Sequence, residues 1–83
     1  MATTYKLEEI KRGDKGNSVL LLQEILKSRG QYKGELDKQF GPATEKAVID
    51  YQTARIKMGA KIGNADGIVG PKTWNDLLAL SKA

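Results

Sequence analysis

Asp37-Lys38-Gln39-Phe40-Gly41-Pro42-Ala43-Thr44 returns 29 positions later as Asp66-Gly67-Ile68-Val69-Gly70-Pro71-Lys72-Thr73. Both strings read D-x-x-apolar-G-P-x-T. Proline has a fixed dihedral and no amide proton, which suits the first turn of a helix, and the glycine before it permits a tight approach of the backbone. The apolar residue ahead of that glycine can close over a core, the carboxylate can accept bonds from loop amides, and the threonine can bond near the helix start. The same offset aligns residues 19–44 with 48–73, with eight identities in 26 positions, including Val19/Val48, Gln23/Gln52, Gly30/Gly59 and Gly34/Gly63. Such a repeat describes a unit of helix, glycine-bearing loop and next helix start, too small to bury its apolar face alone.

Periodicity supplies the helices. After Gly16-Asn17-Ser18, with Asn17 or Ser18 expected as cap, apolar residues recur at Val19, Leu22 and Leu26, and Leu21 and Ile25 widen the stripe. Gly30 can take the left-handed conformation that ends this helix. The second is expected from Pro42 to Lys57 or Met58, burying Ala47, Val48, Tyr51 and Ala54, and the third from Pro71, with Trp74, Leu77, Leu78 and Ser81 on one face. Strand content should be small, with Tyr32 to Leu36 the segment that could be extended. The expected fold class is all-α: a compact three-helix bundle of pseudo-repeated helix-loop units.

The chain has 83 residues, room for one domain and one core, and it divides on this reading into an N-terminal extension, 1–9, and a folded module, 10–83. It contains no Cys and no His, so a disulfide framework, thiolate chemistry and imidazole chemistry are all absent, and neither a metal nor a cofactor is expected. The net charge of +4 is spread along the chain and suits a polyanionic wall or nucleic acid equally. Nucleic acid is disfavoured, because no reading helix or aromatic-basic platform accompanies the charge. Residues 1–13 lack the apolar run of a secretory signal, and no stretch has the length of a membrane span, so no membrane insertion is expected. The expected source is a module of a larger exported protein, or a chain that leaves the cell another way, as a phage protein does at lysis. Asp37 and Asp66 could suggest paired acid and base catalysis, but they occupy equivalent places in two copies of one turn, and catalysis needs unlike environments.

The segment from Ile10 to Leu26 resembles the opening of the type 1 peptidoglycan-binding domain, G-x-x-G-x-x-V-x-x-L-Q-x-x-L. Asp37 to Gln52 is similar to that family's D-G-x-F-G-x-x-T-x-x-A-V-x-x-F-Q, and Asp66 to Leu77 to its D-G-x-V-G-x-x-T-W-x-x-L. The three motifs lie in order between Ile10 and Leu80. Lys38 departs from the usual glycine, Tyr51 from the usual phenylalanine, and the connection from Gly59 to Ala65 is somewhat long. The resemblance implies a three-helix module without catalysis of its own. It would hold an appended amidase, muramidase, peptidase or phage endolysin on bacterial peptidoglycan, by glycan strand or stem peptide, in the cell envelope or outside the cell. The alternative is an interaction or structural module of an envelope, secretion or phage assembly that keeps the fold without wall binding.

A wall reader should combine amide or hydroxyl donors, a few cations and an aromatic plate. Tyr32, beside Gln31 and Lys33, is the aromatic expected to be most exposed, as a stacking plate or as loop packing. Trp74 is expected on the core face, with an exposed edge or its indole N–H left for a groove. Arg29, Lys33, Lys38 and Lys72 are candidate partners for wall carboxylates, and Gln39 for a polar contact. The candidate ligand set is thus Arg29, Tyr32, Lys38, Gln39, Lys72 and Trp74. Asp37, Gly41, Thr44, Asp66, Gly70 and Thr73 form the structural loop motif, and Gln23 and Gln52 are expected to brace loop backbone. Leu20 and Ile49, off their stripes at equivalent positions, could form an apolar patch.

Overall fold

The computed structural model describes residues 8–81, with side chains up to residue 79, so most of the expected extension and the side chain of Ser81 lie outside the described residues. Helices α1 (Asn17–Ser28), α2 (Pro42–Lys57) and α3 (Pro71–Ser81) follow in order. None is long and apolar enough to cross a membrane. Among the described residues no strand forms, Tyr32 to Leu36 included, and the only pairings are isolated antiparallel bridges at Ile10 with Val69 and Lys15 with Gln39.

Each helix starts from a glycine carbonyl. Gly16, Gly41 and Gly70 accept the amides of Leu20, Glu45 and Trp74 at 3.1, 2.9 and 2.9 Å. Pro42 and Pro71 then occupy first-turn positions, where a missing N–H costs nothing. The expectation of Asn17 or Ser18 as cap of α1 is corrected: the cap is Gly16, at φ 127°, which no side chain can serve. Its conformation aims its N–H at the Lys38 carbonyl, 2.9 Å away, so a contact distant in sequence determines how α1 begins. At the other end Gly30 turns the chain at φ 80°, and the amides of Gln31 and Tyr32 both return to the Leu26 carbonyl.

The buried stripes meet in one core: Val19, Leu22, Ile25 and Leu26 from α1, Ala47, Val48 and Tyr51 from α2, Trp74 and Leu77 from α3. Phe40 and Val69, the apolar residues of the repeated loops, close it from the side at 2% and 0% exposure. Full burial of side chains of this size is worth about 1.5–3 kcal/mol each. Ala54, expected inside, is exposed. The segment before α1 is built into the fold. Ile10 exchanges two backbone bonds with Val69 (3.1 and 2.8 Å), Gly13 and Asp14 bond Phe40 (2.9 and 2.9 Å), and the Trp74 indole donates to the Glu8 carbonyl at 3.0 Å.

Candidate wall-binding clefts and their scaffold

The two copies of the loop motif are braced by the same four contacts. In the first, Gln23 is fully buried and its Nε2 lies 3.0 Å from Asp37 Oδ1, 3.0 Å from the Gln39 carbonyl and 3.1 Å from Thr44 Oγ1, while its Oε1 accepts the Lys38 amide at 3.1 Å. In the second, Gln52 Nε2 faces Asp66 Oδ1, the Ile68 carbonyl and Thr73 Oγ1 at 3.4, 2.9 and 3.3 Å, and its Oε1 accepts the Gly67 amide at 2.9 Å. Two amide protons are shared among these acceptors, so each glutamine ties a carboxylate, a carbonyl and a helix-start hydroxyl to one point. Asp37 and Asp66 also accept the amide two residues on, at 3.0 and 2.9 Å. The bond from Gln23, then that from the Gln39 amide, hold the Asp37 carboxyl below its ordinary value. The structure thus assigns both aspartates and both glutamines to loop bracing, and no buried side-chain polar atom among the described residues lacks a partner.

The copies differ at a second cluster. Leu22, Leu26 and Ala47 pack as apolar core in the first, whereas the positions 29 further on hold Tyr51, Arg55 and Asp76. Arg55 grips Asp76 through Nε at 2.8 Å and Nη2 at 3.1 Å, the Tyr51 hydroxyl donates to the same carboxylate, and the Arg29 guanidinium lies 5.4 Å from the Tyr51 ring centroid. Arg55 holds Asp76 below the ordinary carboxylate range, while burial and then the Asp76 bond push the Tyr51 phenol well above its own. A salt-bridged clamp therefore joins α2 to α3 where the first copy uses packing alone.

Between the loop after α1 and the flank of α2 lies an open cleft of about 510 Å³, walled by Gln31, Lys33, Lys46, Ala47 and Asp50. Tyr32 is its floor. Tyr32 is 5% exposed, and its hydroxyl donates to the Glu35 carbonyl at 2.5 Å and accepts from Gln23 at 3.3 Å. Gly34 lets the loop fold over it, since a Cβ there would sit 2.7 Å from the Tyr32 hydroxyl. Lys46 and Asp50, one turn apart, pair at 2.9 Å on the exposed wall. A second cleft of about 390 Å³ lies beside the start of α3, between Ile62, Asn64, Ile68 and Lys72.

The structure does not bring the six candidate ligand residues together. Tyr32 is no exposed plate: Gly34 and the Gln23 amide draw it inward. Trp74 keeps no exposed edge, at 1%, and its N–H is taken by Glu8, so none is left for a groove. Arg29 touches the first cleft only through Gln31, bonded at 3.2 Å, and Lys72 lies at the second cleft. Lys38 and Gln39 sit on the first braced loop, beside the segment before α1. Leu20 and Ile49 are half-buried, Ile49 facing the loop at Gly67. The sequence reading missed Lys46 and Asp50; their signal was an i,i+4 pair of opposite charge on the polar face of α2.

The fold and motifs have known counterparts. The peptidoglycan binding domain family model matches residues 15–55, which span α1, the first braced loop and most of α2. The spore cortex-lytic enzyme of Bacillus subtilis is 35% identical over 80 residues; these are 96% of this chain and 25% of that enzyme, so the chain spans about a quarter of its relative's length. Among solved structures, the SleB N-terminal domain is similar at a TM-score of 0.80 and 33% identity, covering 94% of this chain and 99% of that one. A peptidoglycan-binding protein from Clostridioides difficile, solved with glutamine hydroxamate, gives a TM-score of 0.75 at 36% identity over 90% of this chain and 43% of its own. The Burkholderia AP3 phage endolysin gives 0.69 at 38% over 87% and 25%. With its paired glutamine braces, its three helices and relatives this near in both sequence and shape, the chain belongs to the peptidoglycan-binding domain family.

Proposed function

We propose that this module binds bacterial peptidoglycan without catalysis and anchors a wall hydrolase or phage lysin, of which it forms one part, at the cell envelope or outside the cell. The observation that carries this reading is the cleft above Tyr32, on a fold shared with modules of a cortex-lytic enzyme and an endolysin. Its rim offers an amide at Gln31, cations at Lys33 and Lys46 and a carboxylate at Asp50, a mixed set suited to the hydroxyls, amides and carboxylates of a wall segment. Tyr32 is fixed beneath the rim by its bonds with Glu35 and Gln23, and Lys46 and Asp50 stand on α2, so little ordering entropy opposes binding at these groups. A tether needs only modest affinity, because a linked catalytic domain then meets its substrate at an effective concentration on the order of millimolar.

Incubation with purified sacculi tests the reading. The wild-type module should leave the supernatant, and a Lys33→Glu/Lys46→Glu variant that melts like wild type should stay in it. Complete recovery of wild type in solution at every salt concentration would overturn the proposal. Tyr32→Ala and Trp74→Ala are poor probes of contact, since both side chains belong to the core.

A further inference from the structure

We infer that the cleft beside the start of α3 is a second wall subsite, for a stem-peptide residue whose aliphatic chain ends in an ammonium and a carboxylate; this deepens the wall binding proposed above and rests on it. Ile62, Ile68 and Pro71 give this cleft of about 390 Å³ an apolar lining, and Glu9, Asn64 and Lys72 give it polar groups. Small-ligand pockets have this balance, with volumes of about 300–1,000 Å³ and a few polar groups that fix orientation. The internal repeat shows that the loop brace does not require the lining. Ile68 occupies the place of Gln39, and the two make the same backbone bonds: each N–H goes to the aspartate two residues before, and each carbonyl accepts from the bracing glutamine. Ile62 occupies the place of Lys33, and Lys72 that of Ala43. Two polar positions of the first copy are therefore isoleucine in the second, and an alanine is lysine, all at one cleft. Ile62 is 7% exposed and Ile68 half-buried, yet neither belongs to the core that the three helices share.

The charges at this cleft have opposite signs. Glu9 Oε1 lies 3.9 Å from the point that a Cβ on Gly70 would take, at the start of α3, and Lys72 follows two residues later. Both line the cleft without pairing with each other, and among the described residues the exposed side chains of Glu9, Asn64 and Lys72 make no hydrogen bond or ion pair. The other polar side chains of the lining, Asp66 and Thr73, are held by Gln52. An N-acetylated glycan strand offers no cation to Glu9, and the lining has no aromatic ring to take a sugar face. The diamino residue of a stem peptide matches every part of it: methylene groups for Ile62 and Ile68, an ammonium for Glu9 and a carboxylate for Lys72.

The test follows the amide NMR signals of the module during titration with the tripeptide Ala-γ-Glu-diaminopimelate, and with the same peptide carrying lysine in third place, which keeps the side-chain ammonium and lacks the carboxylate beside it. Sacculus binding is measured in parallel. The first peptide should move the signals of Gly63, Asn64 and Ile68 and bind about two- to fivefold more tightly than the second, the scale of one exposed ion pair. Lys72→Ala should bind both peptides alike. Ile68→Gln should weaken both about fourfold, the scale of one buried methylene. Each change installs the residue that the first copy carries at the same place, so both variants should melt like wild type and a loss of binding reads as a loss of contact. Wild type that holds to sacculi but shows no such shifts, or Lys72→Ala that keeps the preference, overturns the subsite and leaves wall binding intact. Failure of wild type on sacculi and on both peptides overturns wall binding and the subsite together.

Discussion

Replacing Gln23 by Leu preserves the size of a fully buried side chain and removes every bond it makes. Its two amide protons, directed toward Asp37, Gln39, Thr44 or Tyr32, and the single Lys38 amide donated to its Oε1 give three hydrogen bonds at a time. Each is worth about 1 kcal/mol net, and a partner left dry costs about 1–3 kcal/mol. The exposed partners can turn to water, but Thr44, at 1% exposure, cannot, so the loss should be about 3–4 kcal/mol. For a domain of this size the whole stability is roughly 4–12 kcal/mol, and the melting temperature should fall by roughly 12–32 °C. Urea titration followed by circular dichroism measures this, with Gln31→Leu on the cleft rim as a control that should change stability little. Gln52→Leu should cost a similar amount, since its bonds repeat those of Gln23. A loss below about 1 kcal/mol for Gln23→Leu would refute the bracing argument, because the bonds would then be no better than those to water.

The clamp between α2 and α3 makes a further prediction: Asp76→Ala alone should lower the melting temperature by several degrees by stranding Arg55. The double change Arg55→Leu/Asp76→Ala, which copies the Leu26 and Ala47 of the first repeat, should recover most of it. pH dependence should appear at both extremes. Asp37 and Asp76 have folded pKa values below the ordinary 3.8, so their contribution is present above that value and lost as pH falls through the folded pKa; urea midpoints should drop in acid, less steeply in Asp76→Asn. Tyr51 is raised above its ordinary 10.0, so its contribution is complete below pH 10 and lost as pH rises through the folded pKa, and Tyr51→Phe should flatten that alkaline decline. Gly34→Ala should cost about 1–3 kcal/mol through the Tyr32 hydroxyl, whereas a Cβ at Gly41 meets nothing within 4 Å and Gly41→Ala should be nearly neutral in the same melts.

Local chemistry made much of this protein readable before any coordinates. Pro42 and Pro71, each after a glycine, suit the first turn of a helix, Gly30 favours an end, and the spacing of Val19, Leu22 and Leu26 marks a buried face, all within one or two turns of chain. The repeat added the loop motif, because two copies of D-x-x-apolar-G-P-x-T with a glutamine 14 residues earlier imply one bond pattern used twice. The remaining features depend on partners far away in the chain. Asn17 and Ser18 look like caps until the Lys38 carbonyl claims the Gly16 amide, and Tyr32 looks exposed until Gly34 folds the loop across it. Ile10 finds Val69, and Arg55 finds Asp76, only after three helices have packed. The cleft rim is of this second kind as well: Gln31 and Lys33 are brought opposite Lys46 and Asp50 by the turn at Gly30 and the packing of α1 on α2. Periodicity and turn residues encode short-range geometry, whereas a binding surface arises where distant segments converge, and that convergence is decided by the core they share.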